Sequence, residues 1–300
     1  KKSEDIVLVN IGEESLEKYG QWPFPRHQFA QMISDLRNAN AGLIGFTIMF
    51  PEPDRFGGDE VFASWVKDNG IILAQDADPR GRSKSAPYVG TAIFGTGEPN
   101  DWVIKYDGLV TNISEIEQGA WGHGLINGMP EVDGVVRRIP LISQINEQLY
   151  PSFALELLRV ANEKPSYTVK VNDSGIEEII LRPFQIPTDP NGSIWINTNY
   201  TFNEIEYGSE LPNLEGKIVL IGLTASGNMI LSVLLPLPFT SICQSLIPLV
   251  STLLRVWYRP LYALSEGLVF NSLSLNPVLY ATSQYALYSR PIPDTISLNT

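Results

Sequence analysis

Cysteine and histidine are almost missing from this chain. Its 300 residues hold one cysteine, Cys243, and two histidines, His27 and His123. A lone cysteine closes no intrachain disulfide, and no Cys/His spacing of a zinc site occurs, so no metal is expected. Neither histidine has a serine or cysteine motif beside it, which makes a catalytic triad a poor reading and packing roles the better one. Positive charge is also short: 21 Lys and Arg stand against 33 Asp and Glu, for a net charge of −12. Phosphate backbones are bound by clustered Lys and Arg, so nucleic acid is excluded as a partner class. A polybasic membrane-surface role is disfavoured for the same reason. Cofactor signatures are lacking too. The run Gly222–Gly227 (GLTASG) follows an apolar stretch but has neither the Gly-Lys-Ser/Thr ending of a phosphate loop nor the dinucleotide glycine pattern. It reads as a tight turn, and no cofactor is expected.

Charge of either sign thins out after Lys217. Residues 1–217 carry 18 basic and 31 acidic side chains, a net −13; residues 218–300 carry three and two, a net +1. Ile218–Leu254 has no charged residue, which superficially suggests a membrane span. Yet Pro236, Pro238 and Pro248 interrupt it, and Asn271, Asn276, Pro277 and Gln284 dilute the uncharged run Gly267–Ser289. Two domains of description follow: residues 1–227 as a folded unit, and 228–300 as an atypical tail. The tail is either a product of a lost reading frame or a divergent membrane-proximal region.

What is present is an α/β pattern. Ile6–Ile11, Gly42–Phe50 and Gly70–Ala74 are apolar runs fit for buried strands, separated by helical patterns at Glu13–Tyr19, Arg26–Asn38 and Asp59–Asp68. Buried strands alternating with helices point to a central, mostly parallel sheet flanked by helices. Residues 80–150 are patterned differently and read as a more antiparallel insertion. There, Gly124–Asn127 and Val135–Ile142 are expected to pair through a turn at Pro130–Gly134, since Asp133-Gly134 is a hairpin signal. A helix is expected at Ser152–Ala161, and strands at Tyr88–Ile93, Tyr167–Val171, Ile176–Leu181, Ser193–Ile196 and Lys217–Gly222.

Several blocks resemble, in order and spacing, the second type of CHASE domain, the sensory extracellular domains associated with cyclases and histidine kinases. They are Asp5–Ile11, Glu14–Leu16, Gly20–Arg26 (GQWPFPR), Ile44–Asp54 (IGFTIMFPEPD), Pro130–Pro140 (PEVDGVVRRIP), Tyr150–Leu158, Ile194–Asn199 and Leu214–Gly227. The chain departs from that pattern at Thr47 and Gly12, where the family usually carries acidic residues. The resemblance implies a non-catalytic sensor held outside the inner membrane, in the periplasm or extracellular space. It also implies a hydrophobic helix preceding Lys1, further transmembrane helices, and a cytoplasmic cyclase, kinase or diguanylate-cyclase-type output in the same polypeptide. An unidentified small-molecule ligand and a homodimer are the other expected partners.

The candidate ligand residues are Trp22, Arg26, Glu52, Asp54 and Arg137. The WPFPR and PEPDR segments both follow buried strands of one β-α-β unit and should emerge on the same edge of the sheet, where ligands of parallel sheets bind. Trp22 is either a cleft wall or a packed indole on a rigid turn. Asp54 could bind a ligand, cap the next helix or pair with Arg26. Arg137 and Arg138 would face opposite sides of a strand, one toward an acidic partner or an anionic ligand. Two other functions stay open: a periplasmic hydrolase or transferase using Glu52 and Asp54, and a module that only dimerises receptors.

Overall fold

The computed structural model describes residues 2–78, 91–163, 165–197 and 199–225. Residues 79–90, which include the start of the strand expected at Tyr88–Ile93, and the 228–300 tail lie outside the described residues. Strand β1 (Lys2–Ile11) leads through α1 (Glu13–Tyr19) and α2 (Arg26–Asn38) to β2 (Leu43–Phe46), then through α3 (Asp59–Val66) to β3 (Ile71–Asp78). Next come β4 (Ala92–Gly95), β5 (Ile104–Tyr106), β6 (Gly108–Val110), α4 (Ser114–Glu117), β7 (Gly122–Leu125), β8 (Arg138–Pro140), β9 (Ile142–Ile145) and β10 (Gln148–Pro151). Helix α5 (Phe153–Ala161) precedes β11 (Thr168–Asn172), β12 (Gly175–Leu181), β13 (Phe184–Pro187), β14 (Ser193–Trp195), β15 (Thr201–Glu206) and β16 (Ile218–Leu223). The main sheet runs β15-β1-β16-β2-β3, with β7 also on β3. All of these pairings are parallel; only β6 is antiparallel, against the far end of β3. The expected α/β fold with a mostly parallel central sheet is therefore present.

Side chains alternate across a strand, so each apolar run of the sheet feeds two cores. Val7, Val9, Ile11, Ile44, Phe46, Ile71, Leu73, Val219 and Ile221 pack with α2 and α3 on one face. Ile6, Leu8, Ile72, Ala74, Ile218 and Leu220 pack with α5 and the antiparallel region on the other. This is why the strands read as continuous apolar runs. On the α5 side, approach is so close that glycine is required. A Cβ on Gly124 would lie 2.4 Å from the Cα of Phe153, and one on Gly45 would lie 3.0 Å from the Phe153 ring. Helix α5 starts with Ser152 accepting from Leu155 N–H at 3.3 Å, an ordinary N-cap. Its Glu156 and Arg159 are both buried and form a bidentate pair at 2.7 Å through both carboxylate oxygens.

Two sequence expectations change. Gly124–Asn127 does not pair with Val135–Ile142. Gly122–Leu125 joins β3 in parallel instead, because Gly122 and Gly124 lie flush under α5. Val135–Val136 is not strand, and β8 pairs with β14. The expected Asp133-Gly134 turn is nevertheless there: Gly134 has φ +79° and donates to Glu131 O at 2.8 Å. The antiparallel region also reaches further than residue 150. It includes the β9–β10 hairpin and the β11–β12–β13 meander.

Candidate functional site

The structure brings Trp22, Arg26, Glu52 and Asp54 to one edge of the sheet, as their places after β1 and β2 require, and builds Arg26, Asp54 and the Glu52 backbone into a hydrogen-bonded knot. Pro25 precedes α2 and offers no side-chain cap. Asp54 supplies the cap from the neighbouring loop: one of its oxygens accepts from Arg26 N–H at 2.9 Å and Gly58 N–H at 3.1 Å, the other from Phe56 N–H at 3.2 Å. Burial tends to raise the Asp54 pKa, but these backbone donors and the Arg26 charge overcome it and hold the carboxyl below its ordinary value. The guanidinium of Arg26 pairs with Asp59 rather than Asp54, at 3.3 Å. It also donates to the Glu52 carbonyl at 2.8 Å and lies 4.7 Å from the Phe50 ring centre, a cation–π contact. The Glu52 carboxylate itself is exposed. Trp22 meets Phe24 and Phe29 edge-on at 5.6 and 5.9 Å, extending an aromatic cluster that runs on to Phe46, Phe50 and Phe62. Trp22 packs into this cluster, and Asp54 caps α2 rather than the helix that follows it in sequence.

Arg137 belongs to a different cluster. It grips Asp133 at 2.6 Å and Glu131 at 3.1 Å. Arg138 also reaches Glu131, at 3.3 Å, and Asp189 on the other side at 3.3 Å. The two arginines therefore converge on Glu131 rather than facing apart, because the chain at 135–137 is not extended strand. Asp133 falls to about 2, mainly through its hydrogen bonds from Arg137.

Behind β3 lies a buried polar network that the sequence reading missed. Glu117 accepts from Gln75 at 2.5 Å and from the Asn112 side chain at 2.7 Å. Asn112 accepts in turn from Phe50 N–H at 2.8 Å, tying the PEPDR loop to α4. Buried polar groups paired this fully serve to fix geometry.

A second feature lies on the helical face, beside the edge strand β15. Residues 207–217 connect β15 to β16 across β1, with Tyr207 and Leu214 buried beneath the connection. A cleft of about 310 Å³ opens there, lined by Lys18, Tyr19, Met32, Asp35, Leu36, Tyr207, Gly208, Ser209 and Leu211. Tyr19 and Tyr207 stack at 4.7 Å with planes 24° apart. Lys18 lies 5.3 Å from the Tyr19 ring centre and donates to Gly208 O at 2.5 Å. Tyr207 accepts from Gln28 at 2.6 Å; burial, then Tyr19 and Asp35, push its phenol above the ordinary value, so it stays neutral. Below the cleft, Glu206 holds α1 in place of a local cap, accepting from Gly12 N–H at 2.7 Å, Ser15 N–H at 3.0 Å and Ser15 Oγ at 2.5 Å. No sequence signal marks this site, because its two tyrosines come from opposite ends of the described chain.

Among the described residues no cluster of His, Cys, Asp and Glu could hold a metal ion, and no helix is long and apolar enough to cross a membrane. No curated protein and no solved structure matches the chain. A family model does: the CHASE2 domain, over residues 1–273, which reaches past Gly227. The chain belongs to the CHASE2 domain family, the extracellular sensory domains of signalling receptors.

Proposed function

We propose that residues 1–227 form the extracytoplasmic sensor of an inner-membrane receptor and regulate a cytoplasmic cyclase, kinase or diguanylate-cyclase-type output. The observation that carries this reading is the family match across residues 1–273. The state of the knot at the WPFPR and PEPDR loops supports a non-catalytic role. Both oxygens of Asp54 are occupied by backbone N–H groups, which disfavours this carboxylate as the general base of a hydrolase. A sensor of this kind acts through a ligand, or a mechanical input, that favours one of two conformations of the domain. In this reading Trp22, Arg26, Asp54 and Arg137 rigidify the frame, and the Glu52 side chain stands exposed at the rim. The test is the output of the full-length receptor in membranes, wild type against a Gly124→Val sensor in which α5 cannot seat. A changed basal output is expected; identical output in the two receptors would overturn the reading.

A further inference from the structure

We propose that the cleft between α1, α2 and the β15–β16 connection binds a small zwitterion of the amino-acid class bearing an apolar or aromatic side chain. The inference deepens the sensory reading and rests on it for its physiological meaning.

The argument begins with what the walls offer. Leu211 and the part-exposed Tyr19 supply apolar surface over a floor of buried Met32 and Leu36, with the Tyr207 ring, itself buried, stacked against that of Tyr19. Such rings take up apolar or aromatic groups at little conformational cost. Two opposite charges line the same cleft. The Lys18 ammonium has three donors, and its described hydrogen bond goes to Gly208 O, so two remain to receive a carboxylate. Asp35 uses one oxygen to accept from Gln31 at 2.8 Å; the other accepts no hydrogen bond among the described residues and can take an ammonium. No ion pair between Lys18 and Asp35 neutralises them among the described residues. An apolar cleft with a few convergent polar groups is the ordinary form of a small-molecule site, and about 310 Å³ lies at the small end of the range. That size and this pairing of one cation with one carboxylate select a compact zwitterion over a singly charged or larger ligand.

The site also has a route to the rest of the domain. Lys18 and Tyr19 end α1, and Glu206, next to Tyr207, fastens the start of the same helix. A ligand bridging α1 to α2 thus bears directly on the helix that follows β1.

The test is calorimetric titration of the 300-residue chain with three probes that share a phenyl ring: L-phenylalanine, phenethylamine without the carboxylate, and 3-phenylpropionate without the ammonium. L-phenylalanine is expected to bind, and each analogue to bind about tenfold or more weakly, as loss of a charge-assisted contact implies. Lys18→Met is expected to equalise L-phenylalanine and phenethylamine, and Asp35→Asn to equalise L-phenylalanine and 3-phenylpropionate, with circular dichroism showing both variants folded. Absence of L-phenylalanine binding, or equal binding of all three probes to the wild type, overturns the proposal. Failure here while receptor output still answers to perturbation of the sensor removes the cleft and leaves the sensory role standing. Binding in a receptor whose output ignores its sensor does the reverse.

Discussion

Replacing Asp54 by alanine removes one carboxylate and strands three backbone N–H groups, those of Arg26, Phe56 and Gly58. Loss of a helix cap costs about 0.5–2 kcal/mol, and hydrogen bonds to a charged group contribute about 1.5–3 kcal/mol. Asp54 is half-buried, so solvent replaces part of what is lost; a net cost of about 2 kcal/mol follows, or roughly 4–8 °C in Tm for a domain of this size. Asp54→Asn keeps one acceptor oxygen and should cost less. The folded-state pKa of Asp54 lies below the 3.8 of an unperturbed aspartate. Its stabilisation is therefore complete above that value and is lost as pH falls through the folded pKa. Thermal unfolding of wild type and Asp54→Ala should differ at neutral pH and converge in acid. A Tm unchanged by Asp54→Ala, or a difference that grows as pH falls, would refute the assignment of Asp54 as the cap of α2.

Gly124→Val forces a side chain against the backbone of Phe153, where nothing flexible can yield; a cost of about 3 kcal/mol or more is expected, read as a lowered denaturation midpoint with Gly124→Ala less affected. Arg159→Met leaves the Glu156 carboxylate buried without its cation, a loss of about 3–5 kcal/mol, whereas the double change Glu156→Leu with Arg159→Met should recover most of it. Glu206→Ala frees the start of α1, and hydrogen exchange should accelerate at the amides of Gly12 and Ser15 while those of β16 stay protected.

The strands at β1, β2, β3 and β16 were legible because burial on both faces leaves an unbroken apolar run, and α2 and α5 because one apolar stripe repeats at helical spacing. β15 was not: at the sheet edge its Thr201–Glu206 is half exposed and mixes Thr, Asn and Glu with Phe and Ile. The β9–β10 hairpin was missed because its turn residues, Asn146 and Glu147, take positive φ of 50° and 67° without a glycine to announce it. The misplaced hairpin at Gly124–Asn127 has a similar cause, since a glycine that reads as a turn or weak strand is there a flat surface for α5. At the candidate site, the edge on which Trp22, Arg26 and Asp54 meet was legible from the order of strands and loops. Which partner each one takes was not. Asp54 caps a helix from another loop, Arg26 finds Asp59, and Tyr19 meets Tyr207 only through the fold.

The central claim is that an event on the outer face of this domain changes an output on the other side of a membrane. It is tested most directly in right-side-out vesicles carrying the full-length receptor, with every native cysteine, Cys243 included, replaced by Ser and one exposed thiol introduced by Ser209→Cys at the cleft wall. A bulky, membrane-impermeant maleimide is added outside and the output activity is followed. The account predicts labelling of the intact vesicles accompanied by a shift in output, with no shift when the thiol is instead placed by Glu60→Cys on α3. Labelling only after the membrane is opened, or full labelling at residue 209 with output unchanged, would contradict it.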